Sequence, residues 1–334
     1  MKPVRRLYGI LTGLLVLVLV LSLFCGSASF SASELFGGLT RQDGYETVSF
    51  ILYALRLPRT LAALIAGVGL SLSGTLLQNI MGNPLVSPNT IGVNAGAGLT
   101  VVVFLTFFPM ALLWLPLAAF VGAFGTSLLI VAVSRKASPY TGSKGTVVLA
   151  GIAVTTLFQA IISFLSTLDT DVLSLYTAFS IGSFQGVTME QLLLPGVLVL
   201  GCLLVSLFLS GRIAVLSLGD SMASSLGVSV GQMRALCLLL ASLSAASVVS
   251  YAGLLGFVGL VTPHMSRKLL GSNIRYQLSG AALLGGILVT VSDLLGRVLF
   301  APSEIAVGIL MALVGAPFFF YLLLQRKEAP DADL

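Results

Sequence analysis

The chain alternates between long uncharged apolar runs and short breaks that gather its charges. Ten runs stand out, at 7–29, 60–80, 90–108, 111–133, 146–168, 191–210, 235–251, 252–266, 279–299 and 304–324. An α-helix needs about 20 apolar residues to cross about 30 Å of hydrocarbon. In hydrocarbon, backbone N–H and C=O groups must be satisfied within the protein, so runs of this kind read as helices. The pattern predicts an all-α polytopic membrane protein of about ten transmembrane helices, forming a single transmembrane domain over 1–334. The stretch 235–266 is uncharged throughout and holds Gly253, Gly256 and Gly259. It reads as two helices with a tight turn near Tyr251; one long helix would reverse the topology of everything after it. At the N-terminus, Lys2, Arg5 and Arg6 precede a run that resembles a signal peptide. Its apolar core, Leu7 to Cys25, exceeds the usual about 7–15 residues, and it is read as an uncleaved first span.

Charge then selects an orientation. Ten spans put both termini on one side. With the N-terminus inside, 13 basic residues fall on the inner side: Lys2, Arg5, Arg6, Arg135, Lys136, Lys144, Arg212, Arg234, Arg267, Lys268, Arg275, Arg326 and Lys327. Four fall outside: Arg41, Arg56, Arg59 and Arg297. Basic residues collect on the cytoplasmic side, so N-in and C-in is expected. The net charge of +5 follows from that bias and does not call for nucleic acid, since no Lys/Arg run has aromatics interleaved. Only 9% of residues are charged and 57% are hydrophobic, with a mean hydropathy of +1.07. A soluble domain carries about 25% charged residues, so a water-soluble enzyme and a disordered chain are both excluded.

The spans are poor in chemistry. The segments 7–33, 60–134, 145–168, 191–211, 235–266 and 276–292 hold no Asp, Glu, Lys or Arg. An ion-coupled secondary transporter normally carries intramembrane carboxylates or a His relay. His264 is the one titratable residue in these stretches apart from tyrosines and cysteines. It follows Pro263 and reads as a polar residue at a helix start, not as a catalyst. Cys25, Cys202 and Cys237 show no CxxC spacing, so they read as packing residues, with no disulfide framework and no metal site. An intramembrane enzyme would need a nucleophile and a base together. No G-x-x-x-x-G-K-[ST] or HExxH occurs, so no nucleotide site, catalytic residue or cofactor is expected. Uphill transport would need energy from a partner subunit. Spacings such as Gly9–Gly13 and Gly92–Gly96 fit close helix packing in lipid without selecting a dimer face.

Three regions carry more. Arg56-Leu57-Pro58-Arg59 sits at the predicted outer mouth, where positive charge is otherwise avoided. Two guanidiniums there fit an acidic docking partner or anchoring to lipid headgroups. Farther along, Asn83-Pro84-Leu85-Val86-Ser87-Pro88 breaks the helix on the inner side, which suits a gate or a plain interhelical turn. The second region, 212–234, is too polar to span and holds Leu218, Gly219, Asp220, Met222, Leu226, Gly227 and Val228. A short helix bounded by Gly219 and Gly227 fits docking into a groove on a soluble subunit or lying on lipid. In the third region an apolar helix is expected to end at Pro263 before a basic inner loop with Arg267 and Lys268. Asp293 and Arg297 are spaced to pair on one helical face. Ser303 or Glu304 is placed to cap the last helix.

At these regions the chain resembles the permease subunits of ATP-binding-cassette importers for iron–siderophore complexes, haem and cobalamin, the FecCD-type, type II importers. The matching pieces are RLPRTLAALIAGVGLSLSGTLLQ, NPLVSPNTIGVNAGAG, LGDSMASSLGV, GLLGFVGLVTPHMSRKLLG and SDLLGRVLFAPSEIAVGILMALVGAPFFFYLL. They are collinear from about 56 to 324. The resemblance implies a ten-helix permease in the bacterial or archaeal cytoplasmic membrane. It pairs with a second permease subunit and sits on two cytoplasmic ATP-binding subunits. An extracytoplasmic substrate-binding protein delivers the cargo. By the same resemblance, Arg56, Arg59 and Arg297 receive acidic side chains of that binding protein, and Asn83, Pro84 and Leu85 form the cytoplasmic gate. The 213–231 segment, with Leu218, Gly219, Asp220, Leu226 and Gly227, couples to the ATPase. Thr155, Thr156 and Gln159 line the pathway. Family members often carry acidic residues where this chain has Ser221, Ser224 and Ser225. Iron–siderophore is the expected cargo, with haem and cobalamin as alternatives.

Overall fold

The computed structural model describes residues 2–28, 30–137 and 144–325. Among the inner basic residues named above, Arg326 and Lys327 lie outside the described residues, as do the side chains of Lys2, Arg135 and Lys144. Among the described residues fifteen α-helices follow one another: α1 (Lys2–Phe24), α2 (Ala32–Leu39), α3 (Glu46–Phe50), α4 (Leu57–Met81), α5 (Val93–Phe107), α6 (Leu115–Ala137), α7 (Lys144–Leu168), α8 (Thr170–Ile181), α9 (Met189–Phe208), α10 (Ser210–Leu216), α11 (Asp220–Ser225), α12 (Val230–Ala252), α13 (Val258–Leu270), α14 (Ile274–Val298) and α15 (Val307–Gln325). No strand occurs among the described residues. Each of the ten apolar runs overlaps a long helix of its own.

Two helical features depart from the hydropathy pattern. α3 continues through a π-helical stretch, Ile51–Arg56, into α4, making one helix of 36 residues from Glu46 to Met81. The charges at Arg56 and Arg59 do not end it, because both guanidiniums find partners inside the protein. α8 is a 12-residue helix, too short to register as a span. The Asp169 carboxylate caps it by accepting from the Asp171 N–H at 2.8 Å.

α4 is the axis of the bundle. It packs against α14, α12, α13 and α9 and is buried over most of its length. Two close approaches depend on glycine. A Cβ on Gly67 would run into the Gly285 carbonyl of α14, and one on Gly74 into the Gly259 carbonyl of α13. In lipid such backbone approach supplies the packing that burying Leu against Leu cannot. Hydroxyls add polar links: Ser244 Oγ donates to Gly69 O at 2.9 Å, Thr262 Oγ1 to Ser71 Oγ at 2.7 Å, and Tyr251 Oη to Ala62 O at 3.0 Å. The two predicted glycine spacings behave differently. Gly96 packs on Gly122 and Thr126 of α6, whereas Gly9 and Gly13 meet nothing within 4 Å. α1, α7 and α9 present largely uncovered apolar faces, including Ile10, Leu14, Leu149, Phe164, Leu193 and Leu200. Cys202 and Cys237 are buried in the core, but Cys25 is exposed and is not a packing residue.

The 235–266 stretch forms two helices; the first ends at Ala252, next to Tyr251, and the break runs over Gly253–Phe257. α12 reaches the level of Ala62 near the start of α4, while α13 begins opposite Leu70–Gly74 in its middle. α13 has 13 residues, about 20 Å at 1.5 Å per residue, so it covers only part of a membrane. The non-helical backbone above it is satisfied by neighbours. Leu254 N–H donates to Phe179 O at 3.2 Å, Ser183 N–H to Ala252 O at 2.9 Å, and Gly308 N–H to Gly182 O at 3.2 Å. The ends of α8 and α12 and the start of α15 therefore meet in one backbone knot. Pro263 does not end a helix, and His264 is not at a helix start: α13 runs through both to Leu270. Proline at 263 leaves the Gly259 carbonyl without its helical donor. Gln78 Nε2 of α4 reaches that carbonyl at 3.3 Å, and His264 stands edge-on to Phe318.

Candidate functional site

α4 has 25 residues, about 37 Å at 1.5 Å per residue. Six of the sequence-predicted residues lie at or beside its two ends: Arg56, Arg59 and Arg297 at one, and Asn83, Pro84 and Leu85 at the other.

At the first end, three arginines turn inward. Arg56 is 5% exposed; its Nη1 donates to Leu23 O at 3.1 Å and Phe24 O at 2.7 Å, and its Nη2 to Ala28 O. Those are the last carbonyls of α1 and the loop after it, where a cation offsets the negative end of the helix. Arg297 of α14 grips the same end, donating to Ser22 O at 3.1 Å and Ser22 Oγ at 2.6 Å. Asp293, 1% exposed, lies between two of the arginines: Oδ1 is 3.0 Å from Arg59 Nε, and Oδ2 is 3.1 Å from Arg297 Nε. Arg59 Nη1 also meets Glu304 Oε2 at 2.6 Å. Glu304 thus pairs with Arg59 and does not cap α15, which begins three residues later at Val307.

Three arginines against two carboxylates leave this cluster one positive charge in excess. It opens on a depression of about 360 Å³ lined by Arg56, Arg59, Arg297, Glu304, Gln185 and Thr188, among others. A depression with excess positive charge can take an anionic group. Spacing exposed the Asp293–Arg297 pair, now seen at i, i+4. No local signal linked Arg59 to Glu304, 245 residues away, or Arg297 to Ser22, 275 residues away.

At the second end, the break after α4 is an ordered turn. Gly82 takes a left-handed φ of 61°. The Asn83 carboxamide oxygen accepts from Leu85 N–H at 3.0 Å, and Asn83 O accepts from Val86 N–H at 3.3 Å. Ser87 and Thr90 then bond reciprocally around a short 3-10 turn, Pro88–Ile91, that leads into α5. Asn83 is exposed, Pro84 and Leu85 are half-buried, and Val86 is buried.

The polar 212–234 segment forms α10 and α11 and the start of α12. α11 is set off by Gly219 at φ 101° and Gly227 at φ 77°. Leu218, Met222 and Leu226 are exposed by 61%, 54% and 59%, while Ala223 is buried. The Asp220 carboxylate turns to α12, where Arg234 Nη2 donates to its two oxygens at 2.8 and 3.0 Å. That partner was missed in the sequence because no span pattern shows which way Asp220 points. Thr155, Thr156 and Gln159 lie on α7, with Thr156 and Gln159 exposed on a helix that is itself mostly uncovered.

Comparison with known proteins agrees with this architecture. Residues 14–325 match the FecCD transport family, and the chain belongs to that family. It is 35% identical over 322 residues to the hemin transport system permease protein HmuU of Yersinia pestis, covering 94% of this chain and 95% of that one. It is 33% identical over 320 residues to the Fe(3+)-citrate import system permease protein YfmE of Bacillus subtilis, covering 94% and 93%. A solved structure described as an inward-facing metal-chelate type ABC transporter shares the fold with a TM-score of 0.85 and 35% identity, over 96% of this chain and 99% of that one. The chain is therefore an all-α, multi-pass transport permease of ABC type.

Proposed function

We propose that this chain is the permease subunit of an ATP-driven importer, and that it passes an iron–siderophore-type metal chelate across the cytoplasmic membrane. The observation that carries this reading is the end-to-end likeness to the hemin and ferric-citrate permeases and to the metal-chelate transporter fold. The likeness to a hemin permease equally supports haem as cargo. The whole chain acts as one permease domain with both termini inside, in line with its charge asymmetry.

In this reading the two ends of α4 have different tasks. The positive depression at Arg56, Arg59 and Arg297 receives acidic groups of an extracytoplasmic binding protein. The Asn83-Pro84-Leu85 turn is the cytoplasmic gate. The uncovered α7, with Thr155, Thr156 and Gln159, faces the pathway beside a second permease subunit. Leu218, Met222 and Leu226 dock on a cytoplasmic ATP-binding subunit, one of two, framed by Gly219 and Gly227. ATP-driven closure of those subunits moves the permease pair between outward and inward access. Among the described residues the only fully buried carboxylate, Asp293, is held between Arg59 and Arg297, so a chelate meets a weakly binding conduit and is released readily.

The test is uptake of labelled ferric citrate or hemin into proteoliposomes holding the complete assembly. Uptake that requires ATP and stops with a catalytically dead ATPase is expected. Uptake that persists with the dead ATPase would refute the reading.

A further inference from the structure

We propose that the Asp220–Arg234 ion pair is the strut through which the coupling helix moves the transmembrane bundle. This rests on reading the chain as an ABC permease. α11 has six residues between Gly219 and Gly227, both at positive φ, and backbone bonds close both junctions, Gly219 N–H to Leu216 O at 3.3 Å and Val228 N–H to Ala223 O at 3.0 Å. Met222 of α11 and the flanking Leu218 and Leu226 are more than half exposed. A docking subunit can push on them, and the push is handed to the bundle by the contacts behind them. Among the contacts behind them are the buried Ala223, whose carbonyl accepts from Val228 N–H, and the Asp220 carboxylate, held at both oxygens by Arg234 Nη2.

Arg234 is well placed to pass the force on. It lies in the second turn of α12 and is 9% exposed. α12 runs unbroken for 23 residues, about 34 Å by its rise. Its far end is fastened: Tyr251 Oη donates to Ala62 O, and Ala252 O accepts from Ser183 N–H. Beyond it lies the backbone knot that joins α8 and α15. A displacement of α11 thus reaches that knot through one ion pair and one rigid helix. Asp220 is in this account a positioning residue, half exposed and bonded to Arg234.

The experiment measures chelate uptake and ATP hydrolysis together, in proteoliposomes holding the permease, its ATPase subunits and the binding protein. The probe is labelled ferric citrate or hemin, whichever the unsubstituted assembly accumulates. Arg234→Gln should lower the ratio of uptake to hydrolysis by up to about fivefold, the size a partly exposed ion pair supports. Asp220→Asn should lower the ratio, and adding it to Arg234→Gln should lower it no further, because Arg234→Gln already removes the ion pair. Arg234→Lys should recover part of the loss. An unchanged ratio in Arg234→Gln, or a double variant that falls by the product of the single effects, would overturn the proposal. If Arg234→Gln does not assemble, Asp220→Asn decides alone. Absence of ATP-dependent uptake in the unsubstituted assembly would overturn the permease reading and this proposal together; normal uptake with an unchanged ratio would overturn only the strut.

Discussion

Arg59 of α4 and Asp293 of α14 form a two-point pair: Arg59 Nε lies 3.0 Å from Oδ1 and 3.2 Å from Oδ2, and the Asp293 carboxylate is 1% exposed. With Arg297 on its other side, Asp293 neutralises much of a buried cationic cluster. Removing one partner of a buried pair leaves a charge uncompensated and costs about 3–5 kcal/mol. Asp293→Asn is therefore expected to destabilise the protein by that order. Thermal unfolding of the purified permease in detergent checks it, and an unshifted midpoint would contradict the assignment.

Glu304 occupies Arg59 from the loop before α15 and remains partly open to the depression. A carboxylate arriving from a binding protein would compete with it. Partly exposed pairs contribute about 0.2–1 kcal/mol, so Glu304→Gln should tighten binding-protein affinity by up to about fivefold. Added salt should weaken that affinity. Surface-immobilised binding assays read both effects; weaker binding by the variant would argue against an acidic docking group at this mouth.

The glycines give a paired test of packing. Gly67→Val would drive side-chain atoms into the Gly285 backbone, and overpacking of this kind costs about 1–3 kcal/mol or more. Gly9→Val on α1 meets open space and should shift stability by no more than about 0.5 kcal/mol. Detergent-resistant folded yield of the two variants separates them. Equal yields would mean that α4 and α14 do not approach as described.

Leu226→Ser removes one exposed apolar side chain from α11 and leaves buried Ala223 untouched. It should reduce co-purification of the ATPase subunit while leaving the permease folded. Full co-purification by a triple Ser variant at Leu218, Met222 and Leu226 would place the docking surface elsewhere.

Helices were legible wherever lipid forces them, because a long apolar run has few other options. The break between α12 and α13 was legible from Gly253 and Gly256, although its true level needed the packing of α13 on Gly74. Charge was the misleading guide. Arg56 and Arg59 looked like the end of a span, yet the helix continues through them because their partners Leu23, Asp293 and Glu304 are supplied from distant elements. Pro263 looked like a stop for the same kind of reason: nothing local shows that Gln78 would satisfy the Gly259 carbonyl. At the two candidate ends, sequence found the residues but not their directions. Arg56 and Arg297 are buried, and Asp220 turns to Arg234; only the fold reveals that.

The central claim is that this chain is a conduit driven by nucleotide hydrolysis on other subunits. Its most direct test is accumulation of labelled ferric citrate or hemin in proteoliposomes containing the purified permease, with and without its ATPase and binding protein. The account predicts ATP-dependent accumulation by the full assembly and none by the permease alone. Uphill accumulation by the isolated permease would contradict it.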